Sequence, residues 1–400
     1  MKLFTGIFLF CCVASQAFGQ NTWFPVDSLN GSPKSVTTSF VLNNEGYVVG
    51  GLTDGSFSRK MYSYNIDQDD WDAEPSWGGE LGSGQNRGSA VSFVINEKAY
   101  VGLGQGNTAG FYNDFWEYNP LDTTWTQKAN FTGSARRSAV GFSIDGIGYV
   151  GTGQDEAGMT RDFFSYDAVT NSWNQLNNFT GTARKSAVAF TLGGNAYIGT
   201  GDDGVLLKDF WQYNPTTDSW IQRPDLPGMS RAGAVAWGEF PTGFISCGED
   251  ANGVFLKDLW EYNFFGNVWQ QRADLPGPAR KHATAFCING IGFVGSGYND
   301  IFLDDFYAYI PLLGTNELEQ TMLEVYPNPA TEQLILRTEY SFTNLVVTDA
   351  NGKIIPVELT FTGENANLSM QLEGLAGGHY FIAGETKNGQ FVHTSFIKIP

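Results

Sequence analysis

Asp114-Phe115-Trp116-Glu117-Tyr118-Asn119-Pro120-Leu121-Asp122-Thr123-Thr124-Trp125 reads as a strand, a turn and the opening of a second strand. Phe, Trp and Tyr favour a pleated, half-buried surface, whereas Asn119-Pro120 is a turn former. The stretch matters because it recurs. Tyr and Trp stand seven residues apart at Tyr64 and Trp71, Tyr118 and Trp125, Tyr166 and Trp173, Tyr213 and Trp220, and Tyr262 and Trp269. With Trp23 added, six tryptophans follow one another at steps of 48, 54, 48, 47 and 49 residues. A period of this size signals a solenoid or a propeller and decides the whole architecture.

The rest of each repeat reads outward from the Trp. Seventeen residues after Trp125, Trp173, Trp220 and Trp269 stand Phe142, Phe190, Trp237 and Phe286, each in a run where large and small residues alternate. A turn such as Asp145-Gly146 leads to a second strand ending in Gly, as in Tyr149-Val150-Gly151-Thr152-Gly153. A Gly- and Asp-rich loop then reaches the Tyr strand, and a hairpin reaches the Trp strand. Each unit is thus a four-stranded antiparallel blade, and radial repetition protects its edges. First-strand starts near Thr38, Gly88, Ser138, Ser186, Ala232 and His282 give six blades. The last has no Trp of its own, since the position seven after Tyr309 is Asn316. Trp23 lies 17 residues before Phe40, the usual interval, so the segment around it is expected to supply the outer strand of the last blade. The expected fold is all-β, a closed six-bladed propeller.

These residues resemble the kelch repeat family over about residues 20 to 312. One departure stands out: the family's Gly-Gly pair is intact only at Gly50-Gly51 and elsewhere becomes Gly-x-Gly, or Ser246-Cys247-Gly248. From Leu323 the texture changes to short alternating strands such as Gln333-Leu334-Ile335-Leu336-Arg337, the pattern of a small β-sandwich. Its Tyr326-Pro327-Asn328-Pro329 opening, its Gly378-His379-Tyr380-Phe381 strand and its end around Lys398 are similar to the C-terminal sorting domain of the type IX (Por) secretion system of Bacteroidetes. That resemblance implies an export address read at the outer membrane. A retained accessory binding sandwich is the alternative. The expected boundaries are a signal peptide over 1–19, the propeller over 20–312, a linker over 313–322 and the sorting domain over 323–400.

The leader reading rests on Lys2, the short apolar run Leu3 to Ala14 and the small residues Ala17 and Gly19. Cys11-Cys12 raises a lipoprotein alternative, but Phe10 and Cys11 match a lipobox poorly. After cleavage two cysteines remain, Cys247 and Cys287, which read as buried small hydrophobes or one disulfide. A net charge of −19 excludes the basic stripe that nucleic acid requires. Gly102-Leu103-Gly104-Gln105-Gly106 is followed by a strand, not a helix, so dinucleotide binding is rejected. One propeller histidine, His282, cannot supply the ligand set of a copper radical oxidase, and no cofactor or metal is expected.

A basic residue stands six positions before each first-strand aromatic: Lys34, Arg87, Arg136, Arg184, Arg231 and Arg280. Strand parity puts this ring on the face of the loops between second and third strands, near Asp155-Glu156, Asp202-Asp203, Glu249-Asp250 and Asn299-Asp300. Arginine forks suit bidentate carboxylate recognition, so the ring is a candidate site for an acidic sugar or a partner's carboxylates. Asp114, Asp162, Asp209, Asp258 and Asp305 open the third strands on the same face, and Arg–Asp pairs that fasten blade tops are the competing account. Blade one breaks the pattern, with Lys60 in the Asp position. A lengthened segment, Asp72 to Asn86, makes Trp77 a candidate contact residue. The functional expectation is a secreted or cell-surface protein- or glycan-binding module without catalysis. A carbohydrate-active enzyme, such as a sialic-acid mutarotase of the kind found among six-bladed kelch proteins, is the alternative, and an inert matrix component the third.

Overall fold

A computed structural model describes residues 21–78, 86–107, 110–311, 324–337, 342–349, 354–355, 357, 359–362, 367–386 and 391–399. The expected leader with Cys11 and Cys12, and the expected linker over 313–322, lie outside the described residues. The chain divides into two compact units, the larger ending at Pro311.

The larger unit holds six four-stranded antiparallel sheets among its described residues. Blade I comprises Thr38–Leu42, Glu45–Val49, Met61–Asn65 and Asp70–Glu74. Blades II to V repeat this order, with first strands Val91–Ile95, Val140–Ile144, Val188–Leu192 and Val235–Glu239. Blade VI runs Thr284–Ile288, Ile291–Asn299 and Ile301–Ile310, and its outer strand is Thr22–Val26 from the far end of the sequence. Trp23 pairs with Tyr309 across that seam, their rings 4.9 Å apart, and the indole N–H donates to the Ala273 carbonyl of blade V at 2.8 Å.

First strands alternate buried and half-buried positions, as the sequence pattern requires of a strand between a neighbouring sheet and a channel. The buried set is aromatic. Four of the six outer-strand tryptophans pack on an aromatic in the third strand of the blade before: Trp173 on Phe115 at 4.9 Å, Trp220 on Phe163 at 5.1 Å, Trp269 on Phe210 at 4.8 Å and Trp71 on Phe306 at 4.9 Å.

Two cycles of backbone hydrogen bonds run around the axis. Val36, Ser89, Ser138, Ser186, Gly233 and His282 each donate N–H to the carbonyl of the preceding member, and Val36 closes the circle onto His282. All six have positive φ, between 50° and 64°. In the second cycle Gly51, Gly104, Gly153, Gly201, Gly248 and Gly297 donate to the carbonyls of Arg87, Arg136, Arg184, Arg231, Arg280 and Lys34 in the next blade. The second cycle explains the eroded Gly-Gly pairs. Leu103, Thr152, Thr200 and Cys247 occupy the first place at φ 59–64°, a left-handed well that costs a side chain energy without forbidding it. The second place has φ 99–104°, and a Cβ there would come within 2.6–3.3 Å of backbone or side-chain atoms, so it stays Gly throughout.

The smaller unit contains two four-stranded sheets. One orders Glu324–Tyr326, Gln333–Arg337, Asn367–Gln371 and Leu359–Thr362; the other orders Ile354–Ile355, Phe342–Asp349, Gly378–Thr386 and Phe391–Lys398. Leu334, Leu336, Met370, Val347, Ile382 and Phe396 form the core of this sandwich.

Candidate functional site

The basic ring sits where the chain enters each first strand, its carbonyls held by the glycine cycle. Its guanidiniums do not face solvent. Arg87, Arg136, Arg184, Arg231 and Arg280 are 0% exposed, and each makes a two-pronged pair with Asp114, Asp162, Asp209, Asp258 or Asp305 at 2.5–2.9 Å. One prong is shared with the carbonyl of the positive-φ residue after the second strand, as from Arg184 Nη1 to Thr200 at 3.1 Å. Of the two accounts drawn from the sequence, the geometry is that of pairing. The five arginines are buried fasteners between the start of one strand and the third strand of the same blade. Burial pushes the Asp114 and Asp258 carboxyls up, but the hydrogen bonds and charge of Arg87 and Arg231, with the indole N–H of Trp116 and Trp260, hold both below the ordinary carboxylate value.

Trp77 is also framework. It is 0% exposed, its ring 4.4 Å from the Arg87 guanidinium carbon. It belongs to a series six residues after each Trp, namely Leu29, Trp77, Phe131, Phe179, Leu226 and Leu275, all at most 2% exposed. Each donates its N–H at 2.8–2.9 Å to a carbonyl two residues before the third strand begins or, for Leu29, to Asp304 within the longer third strand of blade VI. The extra residues of the lengthened segment therefore come after Trp77, and positions 79–85 lie outside the described residues.

In three blades the residue following the ring member is a cation that reaches the mouth. Arg137, Lys185 and Lys281 are half-buried there, on blades III, IV and VI; their equivalents Ser35, Gly88 and Ala232 are uncharged. Each bridges antiparallel to the residue after the glycine-cycle Gly of its own blade. A polar arc results. Arg137 donates to Gln105 Oε1 at 2.5 Å and Gln154 Oε1 at 3.1 Å, Lys185 lies 3.6 Å from Asp202, and Lys281 donates to Glu249 at 2.7 Å. Phe111 flanks Arg137 at 5.5 Å, and Phe255 flanks Lys281 at 5.4 Å, with Tyr298 against Phe255. The Nε of Arg137 is buried without a hydrogen-bond partner.

His282 stands in the first cycle, its imidazole against Gly233. Burial, then the charge of Lys281, lowers its pKa to about 4, so the ring is neutral at physiological pH. All six blades carry charge one residue before the mouth position, which makes that ring conspicuous in the sequence; the mouth position itself is charged in only three and shows no sixfold signal. Beyond the cycle the first strands enclose a channel of about 230 Å³, lined by Ser39, Ser92, Ser143, Thr191, Gly238 and Cys287 among others. Ser39 and Ser92 spend their hydroxyl protons on the Ala285 and Ser39 carbonyls. Cys247 and Cys287 are both free thiols, the first buried and the second half-buried.

Residues 34–230 match the KLHDC2/KLHL20/DRC7 Kelch-repeats domain, and residues 324–398 match the secretion system C-terminal sorting domain. The chain joins kelch repeats to a sorting domain. No curated protein matches the sequence. The solved structure of YjhT superimposes on the kelch propeller with a TM-score of 0.60 at 16% identity, covering 71% of this chain and 96% of that one. At that identity the likeness speaks to the fold alone. The sorting domain marks the propeller for type IX secretion, to the cell surface or the extracellular space in Bacteroidetes. No helix among the described residues is long and apolar enough to cross a membrane.

Proposed function

We propose that the propeller is the cargo and acts outside the cell as a binding module, taking an acidic glycan or a partner's carboxylates at the mouth. The observation that carries this reading is the arc of Arg137, Lys185 and Lys281, half-buried beside amides, carboxylates and aromatic rings. Such cations are partly desolvated already, and their present partners, Gln105, Gln154, Asp202 and Glu249, are side chains that can turn away to admit a ligand carboxylate. Exposed Val205 and Val254 in the loops of blades IV and V, and Ile301 at the start of the third strand of blade VI, add apolar contact at the same face. A glycan array probed with the full chain tests this, with acidic sugars expected as the strongest hits. Arg137→Gln and Lys281→Met should each weaken that binding about tenfold or more, the scale of one charge-assisted contact. Blank wells at every acidic sugar would turn the search to a protein partner. An NMR assay that finds faster anomer interconversion of sialic acid, lost in Arg137→Gln, would favour the mutarotase alternative.

A further inference from the structure

The repeat supplies its own control for one position. Five blades place a buried Arg against a third-strand Asp, whereas blade I has lysine at both places, Lys34 and Lys60. The Lys34 backbone is held as in the other blades: its N–H donates to the Leu303 carbonyl at 3.1 Å, and its own carbonyl accepts from Gly297 at 2.8 Å. Its side chain is as deep as the arginines, the residue being 1% exposed. Yet the ammonium has no ion pair or hydrogen bond among the described residues and rests 4.7 Å from the centre of the Tyr62 ring.

An ammonium buried without an acceptor is costly, and a second cation beside it adds to the cost. Burial first and Lys60 second lower the Lys34 pKa to about 8, which still leaves the amine mostly protonated at neutral pH. The third partner is altered as well. In blades II, IV and V the residue two after the Asp is a Trp whose N–H donates to that Asp, at 2.7–2.8 Å. In blade I this residue is Tyr62, which offers a hydroxyl. The five Asp side chains keep 17–28% exposure, so the carboxylate position borders solvent even though the cation behind it does not.

We propose that blade I binds a carboxylate from outside the repeat, held between Lys34 and Lys60, which completes the sixth ion pair. The site is independent of whatever occupies the mouth. Thermal unfolding of the full chain tests it, in sodium acetate against sodium chloride at equal ionic strength. Acetate should raise Tm saturably where chloride does not. Lys60→Asp supplies the missing carboxylate in place; its Tm should be higher without acetate and should no longer respond to it. Lys34→Met removes the cation with little change of volume and should abolish the response in a folded protein. Equal responses to the two salts, or an acetate response that survives in either variant, would overturn the proposal. Glucuronate and a glutamate-rich peptide separate the sources: whichever acts at the lower concentration identifies an acidic sugar or a partner's side chain as the natural guest.

Discussion

Single residues in this propeller do their work through backbone geometry as much as through side chains. Gly153 has φ 101°, and a Cβ there would lie 2.8 Å from the Arg137 carbonyl; Gly146 has φ 77° but open space around it. Gly153→Ala should therefore cost about 2–4 kcal/mol and Gly146→Ala about 1 kcal/mol, measured by chemical denaturation. Costs in the reverse order would mean that the glycine cycle is not the constraint. His282 offers a pH handle at the same scale. Its folded pKa of about 4 lies below the unfolded value of about 6.5, so the unfolded chain binds more protons between them. The stability it confers is complete above the upper value and declines as pH falls toward the lower. The loss should be on the order of 1–3 kcal/mol, short of the full shift because the imidazole is only half-buried. His282→Asn keeps a residue that tolerates positive φ and should flatten the profile between pH 4 and 6.5; an unchanged slope would acquit the histidine.

Among elements, the outer strand Thr22–Val26 bears the most, because it joins the two ends of the circle. Trp23→Ala removes its contacts with Tyr309 and Trp237 and the hydrogen bond to Ala273. A cost of about 3–5 kcal/mol is expected in urea denaturation, with faster proteolysis of the Ile301–Ile310 edge. A variant as stable as the parent would show the seam to be dispensable. This strand was legible beforehand, since the 17-residue interval from Trp23 to Phe40 matched every undisturbed repeat. The Arg–Asp fasteners were legible too, because blade I loses both members together. Trp77 was misleading. Its large side chain beside a lengthened loop resembles a contact residue, whereas its equivalents are Leu or Phe and only the shared backbone hydrogen bond reveals the series. The mouth arc escaped for a related reason: its members break the symmetry on which the whole reading rested.

At the scale of the molecule, a ring of sheets differs from a stack because no blade has a free side, and each cycle of hydrogen bonds is complete or broken. That tolerance for uneven loops on a uniform frame explains how repeats with one intact Gly-Gly pair in six still close. The seam also sets an order of events. The strand that finishes blade VI precedes its partner, Ile301–Ile310, by some 280 residues. A chain emerging N-terminus first carries an unmatched ribbon with a bare indole until nearly the whole propeller has followed. The circle can therefore be clasped only once Ile310 has been made, so the first strand of the propeller is the last to find its place.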